Sequence, residues 1–124
     1  MKSILVLEDN ALLADLIAEV LQDEGYDVEV AEDGYDGLQK LQGTRPDLVI
    51  TDLMMPRVSG EEFCNTIQAD PRFNSIPVLL MTAREEHVLK VKCKYDAFLA
   101  KPFDLYHLLG LVKKLTMPAG HKAN

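Results

Sequence analysis

Short apolar runs recur along the chain, and four of them end at polar residues suited to chemistry. These runs cover residues 3–7, 47–51, 77–81 and 97–100. Their continuous hydrophobic character is typical of parallel strands that are buried on both faces. A weaker run at 27–31 alternates valines with acidic residues, which favours a fifth strand at an edge of the sheet.

Helical patterns fill the intervals between the apolar runs. Apolar side chains recur at helical spacing across 11–24, 35–41, 61–69 and the stretch after Phe103, and a short polar helix is predicted near 85–94. Asn10 and Asp104 are suitable N-caps for the first and last of these helices.

Five strands alternating with helices predict an α/β domain of the doubly wound, flavodoxin-like class. We expect a five-stranded parallel sheet in the order 2-1-3-4-5, with helices on both faces. This domain would occupy residues 1–117, and residues 118–124 would form a loose C-terminal tail.

The predicted topology gathers the polar residues at one edge of the sheet. Strand one would lie beside strand three, so Glu8 and Asp9 would face Asp52. Crowded carboxylates repel one another and need a cation, and Mg²⁺ is a hard ion that prefers oxygen ligands. Thr82 and Lys101 would then be left to hold an anionic group. The strand ends therefore predict a magnesium-dependent phosphoryl site.

Asp52 is the best candidate nucleophile at this site. A carboxylate can accept a phosphoryl group and form an aspartyl phosphate. Phosphoryl transfer depends mostly on positioning and on neutralisation of charge. Asp9, together with Glu8 through water, would hold the metal, while Lys101 would neutralise a phosphoryl oxygen.

Composition and charge exclude several other functions. The net charge of −7, from 13 basic and 20 acidic residues, argues against direct binding of nucleic acid. No apolar run approaches the roughly 20 residues of a membrane span, and the N-terminus leads straight into a strand without a signal peptide. Cys64 and Cys93 fit buried thiols in a reducing compartment, so we expect a cytoplasmic protein. His87, His107 and His121 are expected at the surface.

Together, the motifs at the strand ends resemble the receiver domain of two-component response regulators. The motifs are Glu8-Asp9, then Asp52-Leu53-Met54-Met55-Pro56 with Gly60, then Met81-Thr82-Ala83, and finally Lys101-Pro102-Phe103. Each motif alone is a weak signal, but all four in this order are specific, and the resemblance spans residues 2–115. It implies a phosphoacceptor signalling module that switches its output surface. It does not imply an enzyme that turns over a separate substrate.

The resemblance implies roles for individual residues of the phosphoryl site. Asp52 would accept the phosphoryl group from a histidine kinase or a histidine phosphotransfer protein. The Mg²⁺ ligands would be Glu8, Asp9, Asp52 and the backbone carbonyl of Met54. The bound phosphoryl group would contact Thr82, the backbone N–H of Ala83 and Lys101, and the Lys101-Pro102 peptide bond would be cis.

Switching and lifetime are also implied by the resemblance. Thr82 would move toward the phosphoryl group while Phe98, on the fifth strand, turns inward. Met54 and Arg84, two residues past the aspartate and the threonine, would flank the path of attacking water and tune the lifetime of the phosphorylated state.

Two other functions fit the same fold less well. A Mg²⁺-dependent phosphohydrolase with an aspartyl nucleophile usually has a second acid two residues after the nucleophile, and that position here is Met54. A flavin binder would need a phosphate loop rich in Ser, Thr and Gly after the first strand, where this chain has Glu8-Asp9-Asn10.

The interval between Thr82 and Lys101 departs from the family pattern. It spans 19 positions (101 − 82), a few fewer than usual, so the fourth helix should be short or loose. That helix forms much of the family's output face, so the sequence leaves the downstream effector open and is compatible with a monomer or a weak phosphorylation-dependent dimer. It also leaves open a stand-alone regulator, a relay intermediate or one piece of a longer protein.

Overall fold

The computed structural model describes residues 1–117, with only the backbone of residues 85 and 86, and the tail predicted at 118–124 lies outside this range. Within it, five strands alternate with five helices. The elements are β1 (Ser3–Leu7), α1 (Ala11–Asp23), β2 (Asp27–Ala31), α2 (Gly34–Gly43), β3 (Leu48–Asp52), α3 (Gly60–Gln68), β4 (Val78–Thr82), α4 (Glu85–Val88), β5 (Ala97–Ala100) and α5 (Leu105–Thr116).

All five strands form one parallel sheet in the order β2-β1-β3-β4-β5. This confirms the predicted doubly wound fold. In the register of the sheet, Asp52 pairs with Met81 and Thr82 pairs with Ala100. The ends of β1, β3, β4 and β5 therefore lie along the same edge.

Both faces of the sheet are covered, because successive side chains of a strand point to opposite faces. Leu5 and Leu7 of β1 pack with α2, α3 and the segment 91–95. Ile4 and Val6 pack with α1 and α5 in a second core. This two-sided burial explains the uninterrupted apolar runs of the central strands.

Side-chain caps start the helices that follow the functional edge. The Asn10 side chain accepts a hydrogen bond from the Leu13 N–H at 3.1 Å, and Asp104 accepts one from the Tyr106 N–H at 2.7 Å. Both predicted N-caps are confirmed. Gly25, with φ of 94°, follows the end of α1 in a conformation that favours glycine.

The helix predicted near 85–94 was wrong beyond its first turn, because α4 ends at Val88. From 91 to 95 the buried and exposed side chains alternate: Val91, Cys93 and Tyr95 pack against the core, while Lys92 and Lys94 are exposed. This period of two is typical of extended chain. Gln68 of α3 fastens the segment, since its side chain accepts from the Lys94 N–H at 3.0 Å and donates to the Lys94 carbonyl.

Candidate phosphoryl site at the carboxyl edge of the sheet

Three carboxylates converge where β1 and β3 end side by side. Oxygens of Glu8, Asp9 and Asp52 all lie within 4.8 Å of one another. Glu8 and Asp52 are buried, whereas Asp9 is exposed. An all-oxygen donor set that is partly open to water suits a hard divalent cation, which usually keeps several waters. The residues present therefore fit a magnesium ion.

Lys101 reaches the same cluster from the end of β5. Its backbone N–H donates to the Thr82 carbonyl at 2.7 Å, and the Lys101-Pro102 peptide bond is cis. The Lys101 Nζ lies 2.7 Å from Glu8 Oε1 and 3.1 Å from Asp52 Oδ2. The ammonium group thus pairs with two of the three acids, and its single charge offsets one of their negative charges.

Burial and pairing act in opposite directions on the ionisation of these groups. Burial raises the pKa of Glu8 above its ordinary value, against the hydrogen bonds from Lys101 and from the Asn10 N–H that favour its charged form. Burial would lower the pKa of Lys101, but its hydrogen bonds and charge attraction to Glu8 and Asp52 outweigh burial and raise it. Lys101 therefore stays charged and available to an anionic group.

Thr82 ends β4 next to Asp52 and is buried. Its hydroxyl donates to the Arg84 carbonyl at 3.1 Å and accepts from the Arg84 N–H at 3.0 Å. Ala83 is exposed between them. A cavity of about 320 Å³ opens here, with walls that include Asp52, Met54, Thr82, Arg84, His87 and Lys101.

The loop between β3 and α3 is held close to the phosphoryl site. Gly60 donates its N–H to the Leu53 carbonyl at 3.0 Å, and a Cβ on residue 60 would collide with the Asp52 carbonyl oxygen. Arg57 adopts φ of 67° and its Nε donates to Asp33 Oδ2 at 2.8 Å. Asp33 also caps α2, so this ion pair ties the loop that carries Met54 to a neighbouring helix.

Comparison with known protein families identifies the domain that carries this edge of the sheet. The family model for the response regulator receiver domain matches residues 4–113. This chain belongs to that family.

Individual relatives agree with the family assignment. The chain is 38% identical over 115 residues to hybrid signal transduction histidine kinase D of Dictyostelium discoideum. It is 36% identical over 118 residues to the DNA-binding dual master transcriptional regulator RpaA of Synechocystis sp.. These matches cover 90% and 93% of this chain, but only 7% and 49% of the two relatives. The receiver domain therefore spans less than half the length of either relative.

A solved structure is similar over nearly the whole domain. It is that of the response regulator protein TrrA of Thermotoga maritima in complex with Mg(2+)-BeF. The two structures have a TM-score of 0.85 and 34% sequence identity, over 93% of this chain and 99% of that chain. The receiver domain is thus a phosphoacceptor signalling module of the two-component type, and the phosphohydrolase alternative is not favoured.

Most residues predicted for the site lie together at the carboxyl edge of the sheet. Met54 and Arg84 both line the cavity, and Met54 is 61% exposed. Phe98 lies apart from the cavity on β5, where the residue is 41% exposed and its Cα pairs with Leu80.

His87 is the residue of the cavity that the sequence analysis did not find. It was expected at the surface, but it is half-buried and lines the cavity beside Asp52. The available signal was its separation of five residues from Thr82, together with a helix start at residue 85. A single turn of helix brings such a residue back over the end of β4.

Proposed function

We propose that Asp52 is the phosphoacceptor of this receiver domain and that Mg²⁺ binds beside it. The observation that carries this proposal is the convergence of three carboxylates within 4.8 Å, with the Lys101 ammonium 3.1 Å from Asp52. The Mg²⁺ ligands would be Glu8, Asp9, Asp52 and the Met54 carbonyl. The relative TrrA, solved with Mg(2+)-BeF, supports this assignment.

In the proposed reaction, an oxygen of the Asp52 carboxylate attacks the phosphorus of a phosphohistidine on a partner protein. The bond from phosphorus to the imidazole nitrogen breaks, and its electron pair returns to the ring. Lys101 and the backbone N–H of Ala83 bind the oxygens of the transferred group. Bound Mg²⁺ supplies further positive charge for these oxygens.

Phosphorylation would then shift the domain between two packings. Thr82 already has a hydroxyl at the edge of the site, bonded to the backbone of Arg84. We propose that this hydroxyl turns to the phosphoryl group and that Phe98 packs inward behind it. The new charge biases the equilibrium between the two states.

Partners and context follow from this chemistry. The phosphodonor would be a histidine kinase or a histidine phosphotransfer protein. The receiver domain would span residues 1–117, act as a signalling module without a separate substrate, and be a monomer or a weak phosphorylation-dependent dimer. Within residues 1–117, no helix has the length and apolar character that crossing a membrane requires. We place the transfer in the cytoplasm, where Cys64 and Cys93 stay as free thiols.

Labelling with a small phosphodonor tests the assignment of Asp52. Incubation with acetyl phosphate and Mg²⁺ should add one phosphoryl group, detected by intact mass spectrometry. Asp52→Asn should abolish this addition, because an amide is not a nucleophile comparable to a carboxylate. Asp104→Asn is the matched control, since asparagine also caps a helix and residue 104 lies at the start of α5. Undiminished labelling of Asp52→Asn would refute the assignment.

A further inference from the structure

Loss of the phosphoryl group requires a water molecule to reach the phosphorus atom of the aspartyl phosphate. The cavity of about 320 Å³ beside Asp52 has room for such a water, since a water molecule occupies about 30 Å³ in the liquid. Which side chain orients that water depends on the hydrogen-bonding capacity of the cavity walls.

Most polar side chains in the cavity walls cannot accept a hydrogen bond from water. Arg84 and Lys101 carry donors only, and Met54 is apolar. The Thr82 hydroxyl is used in both directions by the backbone of Arg84 in this structure, at 3.0 and 3.1 Å, and in the proposed phosphorylated state it turns to the phosphoryl group. His87 differs, because a neutral imidazole keeps one nitrogen that accepts a hydrogen bond.

The short helix α4 holds His87 at the cavity wall. The His87 N–H donates to the Arg84 carbonyl at 3.1 Å, which closes the turn. The next residue, Val88, is buried in the core and anchors that turn. The backbone of His87 is therefore held at the cavity wall, and the residue is half-buried.

We propose that His87 is a catalytic residue for dephosphorylation, in which its imidazole accepts a hydrogen bond from the attacking water and orients the water oxygen toward phosphorus. The water oxygen bonds to phosphorus, the bond to the Asp52 oxygen breaks, and its electron pair restores the carboxylate. Both hydrogens of the water remain with the departing dihydrogen phosphate. This role rests on the proposal that Asp52 is the phosphoacceptor.

Lifetimes of the phosphorylated protein test the proposal. Protein labelled with acetyl phosphate is freed of the donor, and loss of the phosphoryl group is followed by mass spectrometry in the presence of Mg²⁺. His87→Phe keeps a planar ring but removes the acceptor, and should lengthen the lifetime about tenfold, as expected for one lost hydrogen bond in the transition state. His87→Ala should also lengthen it. His87→Gln keeps an acceptor and should recover a large part of the wild-type rate.

His107→Phe is the matched control, because His107 is exposed on α5 and should leave the lifetime unchanged. Thermal unfolding of each variant reports separately on folding. Wild-type lifetimes in His87→Phe and His87→Ala, or shorter ones, would overturn the role of His87 while leaving Asp52 as phosphoacceptor. A His87→Gln variant as slow as His87→Phe would overturn the hydrogen bond to water. Absence of any label on wild-type Asp52 would instead overturn the proposed function itself.

Discussion

Glu8 and Asp9 are neighbours in the sequence but have different surroundings. Glu8 is buried, and its two oxygens accept hydrogen bonds from Lys101 at 2.7 Å and from the Asn10 N–H at 3.0 Å. Asp9 is exposed at the same cluster. An acid whose oxygens are already engaged is suited to holding a metal-bound water, whereas an exposed carboxylate is available for direct coordination.

Removal of the Asp9 charge should therefore weaken Mg²⁺ binding more than removal of the Glu8 charge. We expect Asp9→Asn to lower the affinity for Mg²⁺ at least several-fold more than Glu8→Gln, since a direct ligand contributes more than a water-mediated one. Isothermal titration of each variant measures the difference. Equal losses of affinity would contradict the assignment of Asp9 as the direct ligand.

Asp33 supports the loop of the site through its charge. The hydrogen bond from the Asp36 N–H, followed by the hydrogen bond from Arg57, lowers the pKa of Asp33 below its ordinary 3.8. A carboxylate with a lowered pKa in the folded state stabilises the protein above the unfolded pKa. That stabilisation is lost as the pH falls through the folded value.

Comparison of wild type with Asp33→Asn isolates this contribution, because asparagine keeps an oxygen that can cap α2. At pH 7 the wild type should have the higher free energy of unfolding. The difference should shrink as the pH falls below 3.8, where Asp33 takes up a proton and loses its ion pair with Arg57. Urea titrations between pH 2.5 and 7 measure it, and a constant difference across that range would contradict the role of the charge.

At the scale of elements, local sequence predicts the strands and most helices of the sheet. β1, β2 and β5 begin and end where the predicted runs do. β1 is apolar because it is covered on both faces, whereas β2 alternates valines with acidic residues at the edge of the sheet. The extended conformation of the segment after α4 was not predicted, because a tertiary contact determines it. Its extended conformation depends on Gln68, which lies 26 residues before Lys94 in the sequence. Periodicity alone does not reveal that contact.

The Gln68 contact should control the stability of this segment. Gln68→Ala removes both hydrogen bonds to the Lys94 backbone, which together are worth about 1–3 kcal/mol. We expect faster hydrogen exchange at 90–96 and little change in β1 or β3. Gln22→Ala on α1 is the matched control, since it removes the same side chain from an exposed helix position. Equal exchange at 90–96 in both variants would show that the segment is held without the hydrogen bonds of Gln68.

At the scale of the whole molecule, the site and its proposed readout lie on adjacent strands. Thr82 ends β4, and Phe98 lies on the paired strand β5. The helix that follows β4 is reduced to one turn, so movement of Thr82 would act on a short, locally fastened segment and on β5. The cluster of polar residues at this edge of the sheet is predictable from sequence because the ends of β1, β3, β4 and β5 each carry a recognisable motif. The surface that would respond to phosphorylation is not predictable in this way, because it depends on how the segment 89–96 packs.

Phosphorylation should carry Phe98 from its half-exposed position into the domain. The chain contains no tryptophan and four phenylalanines, so fluorophenylalanine with ¹⁹F NMR is a suitable probe, with Phe98→Leu to assign the resonance. We expect acetyl phosphate and Mg²⁺ to shift the Phe98 signal in wild type and to leave it unshifted in Asp52→Asn.

Thr82→Ala should still be labelled but should show a much smaller shift, because the hydroxyl that links the phosphoryl group to the strand is lost. Thr82→Ser keeps that hydroxyl and should retain the shift. A full shift in labelled Thr82→Ala would mean that the ring responds to phosphorylation by a route that does not involve Thr82.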